Sequence, residues 1–143
     1  MNNLIIVSGY FNPLHVGHLD YINSAADLGD VCVIVNNDKQ CKLKGSIFMN
    51  EDDRGRIIHN LKLVKCVYIS IDNDRTVCNT IEKIYNDAKD KDKNIFFAKG
   101  GDSTIDNVPE LELCNKLGIK VILNIGGTKT RNSSDYRKKK ELK

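Results

Sequence analysis

The chain has 143 residues, 41% of them hydrophobic and 29% charged, with two prolines; this fits one soluble domain burying about two thirds of its unfolded surface and excludes a disordered or fibrous chain. No apolar run reaches membrane-spanning length and no leader pattern opens the sequence, so a cytoplasmic protein with no membrane partner is expected. The net charge of +3 is uneven: seven basic and two acidic residues lie between Lys129 and Lys143, which leaves −2 for the remainder.

Leu4-Ile5-Ile6-Val7 is a continuous apolar run, the pattern of a strand buried on both faces of a parallel sheet. It feeds Ser8-Gly9-Tyr10-Phe11-Asn12-Pro13-Leu14-His15-Val16-Gly17-His18, a loop that joins strand to helix. The first amides of such a helix point outward without partners and favour an anion, such as a nucleotide phosphate. His15 and His18 are three apart, so a helix beginning at or just before Gly17 brings both imidazoles to one side, within reach of adjacent phosphates. Gly17 between them admits a phosphate close to the backbone.

A helix is predicted over Leu19–Leu28, with Leu19, Ile22, Ala25, Ala26 and Leu28 inward and Gly29 as its stop. Val31–Val35 is the second strand, ending in Asn36-Asn37-Asp38 beside the first loop. This βαβ unit places the ligand at the switch point of the sheet. Residues 39–50 read as a loop carrying Lys39, Lys42 and Lys44. Asn50 caps a helix from about Glu51 to Leu63, with Glu51, Asp52 and Asp53 in its first turn and Ile57, Ile58 and Leu61 inward; His59 falls outside that stripe. Cys66–Ile71 is a strand, and Thr76 caps a helix marked by Val77, Ile81, Ile84 and Tyr85. The charged stretch 86–94 reads as a solvated connection. Ile95–Ala98 is the fourth strand, followed by a second glycine turn, Lys99-Gly100-Gly101-Asp102. Val108-Pro109-Glu110 opens a helix ending at Leu117-Gly118, and Ile119–Leu123 is the fifth strand. The stretch from Gly126 to Ser134 then gathers backbone amides, hydroxyls and cations before a short basic helix, a second phosphate-binding arrangement. The architecture that follows is α/β, a single Rossmann-like, doubly wound sheet of five mostly parallel strands.

The five cysteines are scattered, odd in number and without a C-x-x-C pair, which argues against zinc, a disulfide framework and a catalytic thiol; Cys32 and Cys66 read as small apolar residues of strands. Arg137-Lys138-Lys139-Lys140 suggests nucleic acid, but no aromatic-interleaved basic face accompanies it and the body of the chain is slightly acidic, so no nucleic-acid partner is expected.

The stretch G-Y-F-N-P-L-H-V-G-H resembles the G-x-F-(D/N)-x-x-H-x-G-H signature of the nucleotidyltransferase superfamily, which includes cytidylyltransferases and adenylyltransferases. Leu43-Lys44-Gly45 is similar to the second motif of that superfamily, and Asn50-Glu51-Asp52-Asp53-Arg54 to its acidic-then-arginine helix start. Lys99-Gly100-Gly101-Asp102 resembles the segment found in heptose-phosphate adenylyltransferases. Gly127-Thr128-Lys129 with Ser133-Ser134 resembles the last motif. The resemblance runs nearly end to end, so residues 1–143 read as one cytidylyltransferase-like domain.

It implies attack by an acceptor phosphate oxygen on the α-phosphorus of ATP or CTP, expelling pyrophosphate, with Mg²⁺ as cofactor and, as in relatives, a homodimer. His15, His18 and Lys44 would be catalytic. Gly9, Tyr10, Phe11, Asn12, Gly17, Gly100, Gly101, Asp102, Lys129, Ser133 and Ser134 would join the two histidines in binding the nucleotide. Asn36, Asp38 and Lys44, with Asn37 beside them, would face the acceptor, and no protein metal ligands are implied. Arg54 and Arg131 stay open between phosphate contact and surface charge. The acceptor set is rich in hydrogen-bonding groups, which suits a sugar or polyol phosphate such as heptose 1-phosphate or glycerol 3-phosphate. The alternatives are nicotinamide mononucleotide or another phosphorylated cofactor precursor and, in another class, a nucleotide-binding module without turnover.

Overall fold

The computed structural model describes residues 2–101, 104 and 107–126. The apolar runs form β1 (Asn2–Gly9), β2 (Asp30–Val35), β3 (Val64–Ile69), β4 (Lys93–Gly100) and β5 (Lys120–Ile125). All pair in parallel, in the spatial order β3-β2-β1-β4-β5. Between them run α1 (Val16–Ala26), α2 (Asp38–Lys44), α3 (Glu51–His59), α4 (Cys78–Ala88), a 3-10 turn at Lys89–Lys91, and α5 (Leu111–Leu117).

Period-two alternation within the continuous runs separates two cores. Leu4, Ile6, Cys32 and Ile34 pack with Ile81 and Ile84 of α4 and Cys114 of α5. Ile5, Val7, Val31, Val33 and Val35 pack on the opposite face with Ile22 and Ala25 of α1 and Ile58 of α3. Each such fully buried aliphatic side chain contributes about 1.5–3 kcal/mol. A sheet covered on both faces is what the unbroken apolar strands require. No helix among the described residues is long and apolar enough to cross a membrane.

Chain order reverses at β1, and the sheet opens there. Pairing of β1 with β2 continues to Gly9 and Val35, whereas pairing of β1 with β4 stops at Ile6 and Phe97. Beyond that point the two strands diverge, and the gap holds the Tyr21 hydroxyl, which accepts the Ser8 N–H at 3.3 Å and donates to the Ala98 carbonyl. Burial pushes the Tyr21 phenol well above its ordinary range, so it stays a neutral donor. Gly100 leaves room for that ring: a Cβ there would stand 3.0 Å from Tyr21 Cδ1.

Several boundaries differ from the sequence reading. The segment read as a loop after β2 contains α2, whose start is a reciprocal capping box between Asn37 and Gln40. The first helix begins earlier, at Val16, and ends before Leu28, which is 42% exposed. Ile57 faces solvent while Ile58 is buried, because α3 stops at His59 and its inward stripe is narrow. His59 is exposed, as its position outside the stripe implies. Thr76 does not cap α4 from the Ncap position, which Val77 holds. The Asp72 carboxylate takes the exposed amides instead, accepting Asn79 N–H at 2.7 Å and Thr80 N–H at 3.0 Å. Helix α4 runs on through residues 86–88 of the stretch read as a solvated connection, β4 begins at Lys93 and runs on through Lys99 and Gly100, and α5 starts after Glu110 rather than before it.

Candidate functional site

Residues 10–15 turn sharply back over the end of β1. Phe11, in the left-handed region at φ 49°, is 2% exposed beneath the loop. A Cβ on Gly9 would meet its ring at 2.8 Å, so glycine permits this close return. The Phe11 ring meets His18 edge-on, centroids 4.9 Å apart, and His15 stacks on His18 at 3.8 Å.

The two histidines fix one another through the helix start. His15 is the Ncap residue of α1, and its Nδ1 accepts the Gly17 N–H at 3.0 Å. His18 reaches back, its Nδ1 accepting the His15 N–H at 3.1 Å. Imidazoles thereby fill the roles that serine and glutamate take in the usual capping box. The chemical consequence is a fixed tautomer. A ring nitrogen that accepts a backbone N–H carries no proton, so in the neutral rings Nε2 of each is the donor. Burial, helped by the charges of His15 and Lys44, lowers the His18 pKa from 6.5 to about 3. His18 is therefore a neutral N–H donor at physiological pH.

The linkage sign follows from that depression. Between about pH 3 and 6.5 the unfolded chain binds a proton that His18 in the folded chain does not, so stability falls as the pH drops below 6.5. In urea unfolding from pH 7 to 4.5, His18→Gln, which keeps an acceptor for the His15 N–H, is expected to flatten the pH slope by up to about 1.4 kcal/mol per unit. Parallel slopes in both proteins would contradict a neutral buried His18.

Arg54 holds the loops around this pair. It is 1% exposed, donating from Nε to Met49 O at 2.7 Å, from Nη1 to Tyr10 O at 2.9 Å and Asn36 O at 2.5 Å, and from Nη2 to Asp38 Oδ1 at 2.8 Å. It is not a surface charge: its fork is turned onto carbonyls and a carboxylate of the chain itself. Asn12 ties the same loop to residues 46–49, accepting Phe48 N–H and Met49 N–H at 2.9 and 3.0 Å and donating to Ser46 O at 3.0 Å.

The residues expected to meet the acceptor are also engaged internally. Asn36 is 4% exposed and bonds Gln40 Oε1; Asn37 caps α2 and donates to Ser70 O and Asp72 O; Asp38 pairs with Arg54. Gln40, fully buried, also donates to Asp74 O and Thr76 O. These groups build the wall of the site. Lys44, in the last turn of α2 and exposed like Lys39 and Lys42, sets its Nζ 4.3 Å from the centroid of the Tyr10 ring. Burial raises the Tyr10 pKa, against the charge of the Arg75 guanidinium, which lowers it. Gly100 and Gly101 close β4 at the same sheet edge, Gly101 with φ 66°. Asp102, Lys129, Arg131, Ser133 and Ser134 lie outside the described residues.

Arg75, whose charge lowers the Tyr10 pKa, was not singled out from the sequence; a polar loop of Asp-Asn-Asp-Arg carries no spacing signal. Gln40 did leave a trace, in the N-x-x-Q of its capping box. Among the described residues no group of three or more His, Cys, Asp or Glu is gathered where it could hold a metal ion.

A strand end carrying two fixed N–H donors and a nearby ammonium can bind and polarise phosphate oxygens. Comparisons with known proteins agree with that chemistry. A family model described as cytidylyltransferase-like matches residues 6–137. The bifunctional protein HldE of Geobacter sulfurreducens is 27% identical over 90% of this chain, which spans only 26% of that protein's length. The FAD synthase of Aciduliprofundum boonei is 32% identical over 82% of this chain and 73% of its own length. The crystal structure of a lipopolysaccharide core biosynthesis protein from Thermoplasma volcanium superposes with a TM-score of 0.66 at 25% identity, covering 92% of this chain and 100% of that one.

Proposed function

From the premise that the chain belongs to the cytidylyltransferase-like family, we propose that it transfers a nucleoside monophosphate from ATP or CTP to a phosphorylated acceptor, releasing pyrophosphate. The observation that carries this is the stacked histidine pair with both Nδ1 atoms bonded to backbone amides. In the reaction an oxygen of the acceptor phosphate forms a bond to the α-phosphorus as the bond to the bridging oxygen of pyrophosphate breaks on the opposite side. No covalent work falls to the protein. It aligns two anions that repel each other and stabilises charge that builds on equatorial and leaving oxygens. The Nε2–H groups of His15 and His18 donate to those oxygens, and Lys44 neutralises a phosphate beside Tyr10. Gly100 and Gly101 border the nucleoside, with Asp102, Lys129, Ser133 and Ser134 assigned to nucleotide and pyrophosphate on the sequence motifs alone. Mg²⁺ enters as a partner of the triphosphate, which is how this ion is usually held. A homodimer and a cytoplasmic location complete the proposal.

Our preferred acceptor is a sugar or polyol phosphate. Adenylyl transfer to a mononucleotide cofactor precursor is the second reading, favoured by the similarity to an FAD synthase. The test is a matrix of ATP and CTP against glycerol 3-phosphate, sugar 1-phosphates, nicotinamide mononucleotide and flavin mononucleotide, scored for pyrophosphate. Release with sugar or polyol phosphates supports the first reading, and release with mononucleotides alone the second. Triphosphate binding without release in any well would make the chain a nucleotide-binding module.

Lys44 gives a further check. Lys44→Ala is expected to lower kcat/KM at least about tenfold, the scale of one lost charged hydrogen bond, because its ammonium lies over the Tyr10 ring, while Lys42→Ala, two positions away in α2 and so on another face of the helix, stays within about twofold. Equal effects in steady-state kinetics would mean that α2 is only diffusely basic.

A further inference from the structure

Tyr21 lies one turn after His18 in α1, and its hydroxyl joins the Ser8 N–H, accepted at 3.3 Å, to the Ala98 carbonyl, to which it donates. The two strands could have joined these backbone groups directly. The register of β1 with β4 runs from Asn2↔Lys93 to Ile6↔Phe97. Carried on by two residues it sets Ser8 opposite Lys99, and in a parallel ladder an N–H bonds the carbonyl of the residue before its partner, here Ala98. Ser8 faces the right way for that bond: Gly9 O takes the Asn36 N–H at 2.9 Å on the β2 side, so the preceding residue turns its backbone groups toward β4. The phenol therefore stands inside the next bond of the ladder. One such bond spans about 3 Å, whereas two in series, bent at a shared oxygen, span about 5 Å. The strand ends are wedged apart by the difference.

Pairing of the two backbone groups does not require this hydroxyl, since a direct bond would satisfy both. What the insertion adds is an opening, at the switch point where α/β sheets take their ligands. Tyr21 also bears on what lies beyond the gap. A Cβ on Gly100 would stand 3.0 Å from its Cδ1, and one on Gly126 3.7 Å from its Cα, so the ends of β4 and β5 both rest on this residue. Pairing of β4 with β5 slips at the same level, between Ala98 and Gly100. We propose that Tyr21 is a positioning residue of the nucleoside cleft: its hydroxyl, in place of one ladder bond, holds β1 and β4 apart so that a nucleoside sits between the histidine loop and the Gly100-Gly101 turn. The inference rests on the transferase reading for the word nucleoside, but its binding chemistry can be tested without turnover.

The experiment is calorimetric titration of the full chain and of Tyr21→Phe with ATP, CTP and inorganic tripolyphosphate. Phenylalanine keeps the ring against Gly100 and removes the bridge. In the parent, ATP or CTP is expected to bind about tenfold or more tighter than tripolyphosphate, the nucleoside supplying the difference. In Tyr21→Phe that preference is lost, while the affinity for tripolyphosphate stays within about twofold, because the histidine pair and Lys44 make no bond to the hydroxyl. With an accepted acceptor, the triphosphate KM rises about tenfold and the acceptor KM stays within about twofold, a split that a general loss of stability would not produce. The proposal is overturned if the parent shows no preference for nucleotides over tripolyphosphate, if the variant retains it, or if all three ligands weaken together as Tm falls, the mark of a merely structural hydroxyl. A nucleoside preference that depends on Tyr21 without pyrophosphate release in any assay would instead sink the transferase reading and leave the cleft assignment standing.

Discussion

His15→Asn and His18→Gln are expected to fold with Tm within a few degrees of the parent and to lose at least about a hundredfold in turnover, the scale of one missing transition-state donor. These variants are chosen because asparagine at Ncap and glutamine three residues later are themselves good capping residues. They retain acceptors for the Gly17 and His15 amides that the two Nδ1 atoms now serve, while moving or removing the Nε2–H donors. Alanine at either position would mix the loss of a cap, about 1 kcal/mol, with the loss of the donor. Circular dichroism melting and pyrophosphate release on the same preparations separate the two effects. Near-parental turnover in both variants would refute the role given to the imidazoles, whatever the fold.

Arg54→Met is expected to be the most destabilising single change among the described residues, costing about 3–5 kcal/mol. It would strip donors from three carbonyls and from Asp38 at once, and for a chain of this length that is a fall in Tm on the order of 10 °C. Lysine should not rescue it, since a single ammonium cannot span the acceptors reached by a planar fork. Asp38→Asn should cost less, because the Asp38 side chain is 31% exposed and water can replace part of what is lost. Denaturant unfolding of the three variants decides the matter. If Arg54→Met loses less than about 1 kcal/mol, the guanidinium is not the tie among the loops that its bonds indicate.

The sheet was legible in the sequence because unbroken apolar runs have only one economical use in a chain of this size, burial on both faces. The helices flanking them followed where an apolar stripe existed, as at Ile81 and Ile84. Helix α2 was not legible by that route. It buries only Gln40 and Cys41, so its lysine-rich sequence has no apolar period, and what starts it is a pair of amide side chains. The histidine pair was legible because strand, glycines and helix start converge on it. Arg54 was not, since an arginine in the first turns of a helix has the same local pattern whether its guanidinium meets water, phosphate or carbonyls.

The fixed tautomers have a further consequence, for the flow of protons. A pair of imidazoles that presents only N–H groups offers no lone pair to the incoming nucleophile, so neither ring can serve as a general base. The acceptor must bring its own ionised oxygen. A phosphate monoester loses its second proton near pH 6, in a range where His18 is already neutral and keeps its hydrogen. The acid limb of the rate profile then reports the ionisation of the substrate, and should move when an acceptor with a more acidic phosphate is supplied and stay in place when the protein is varied.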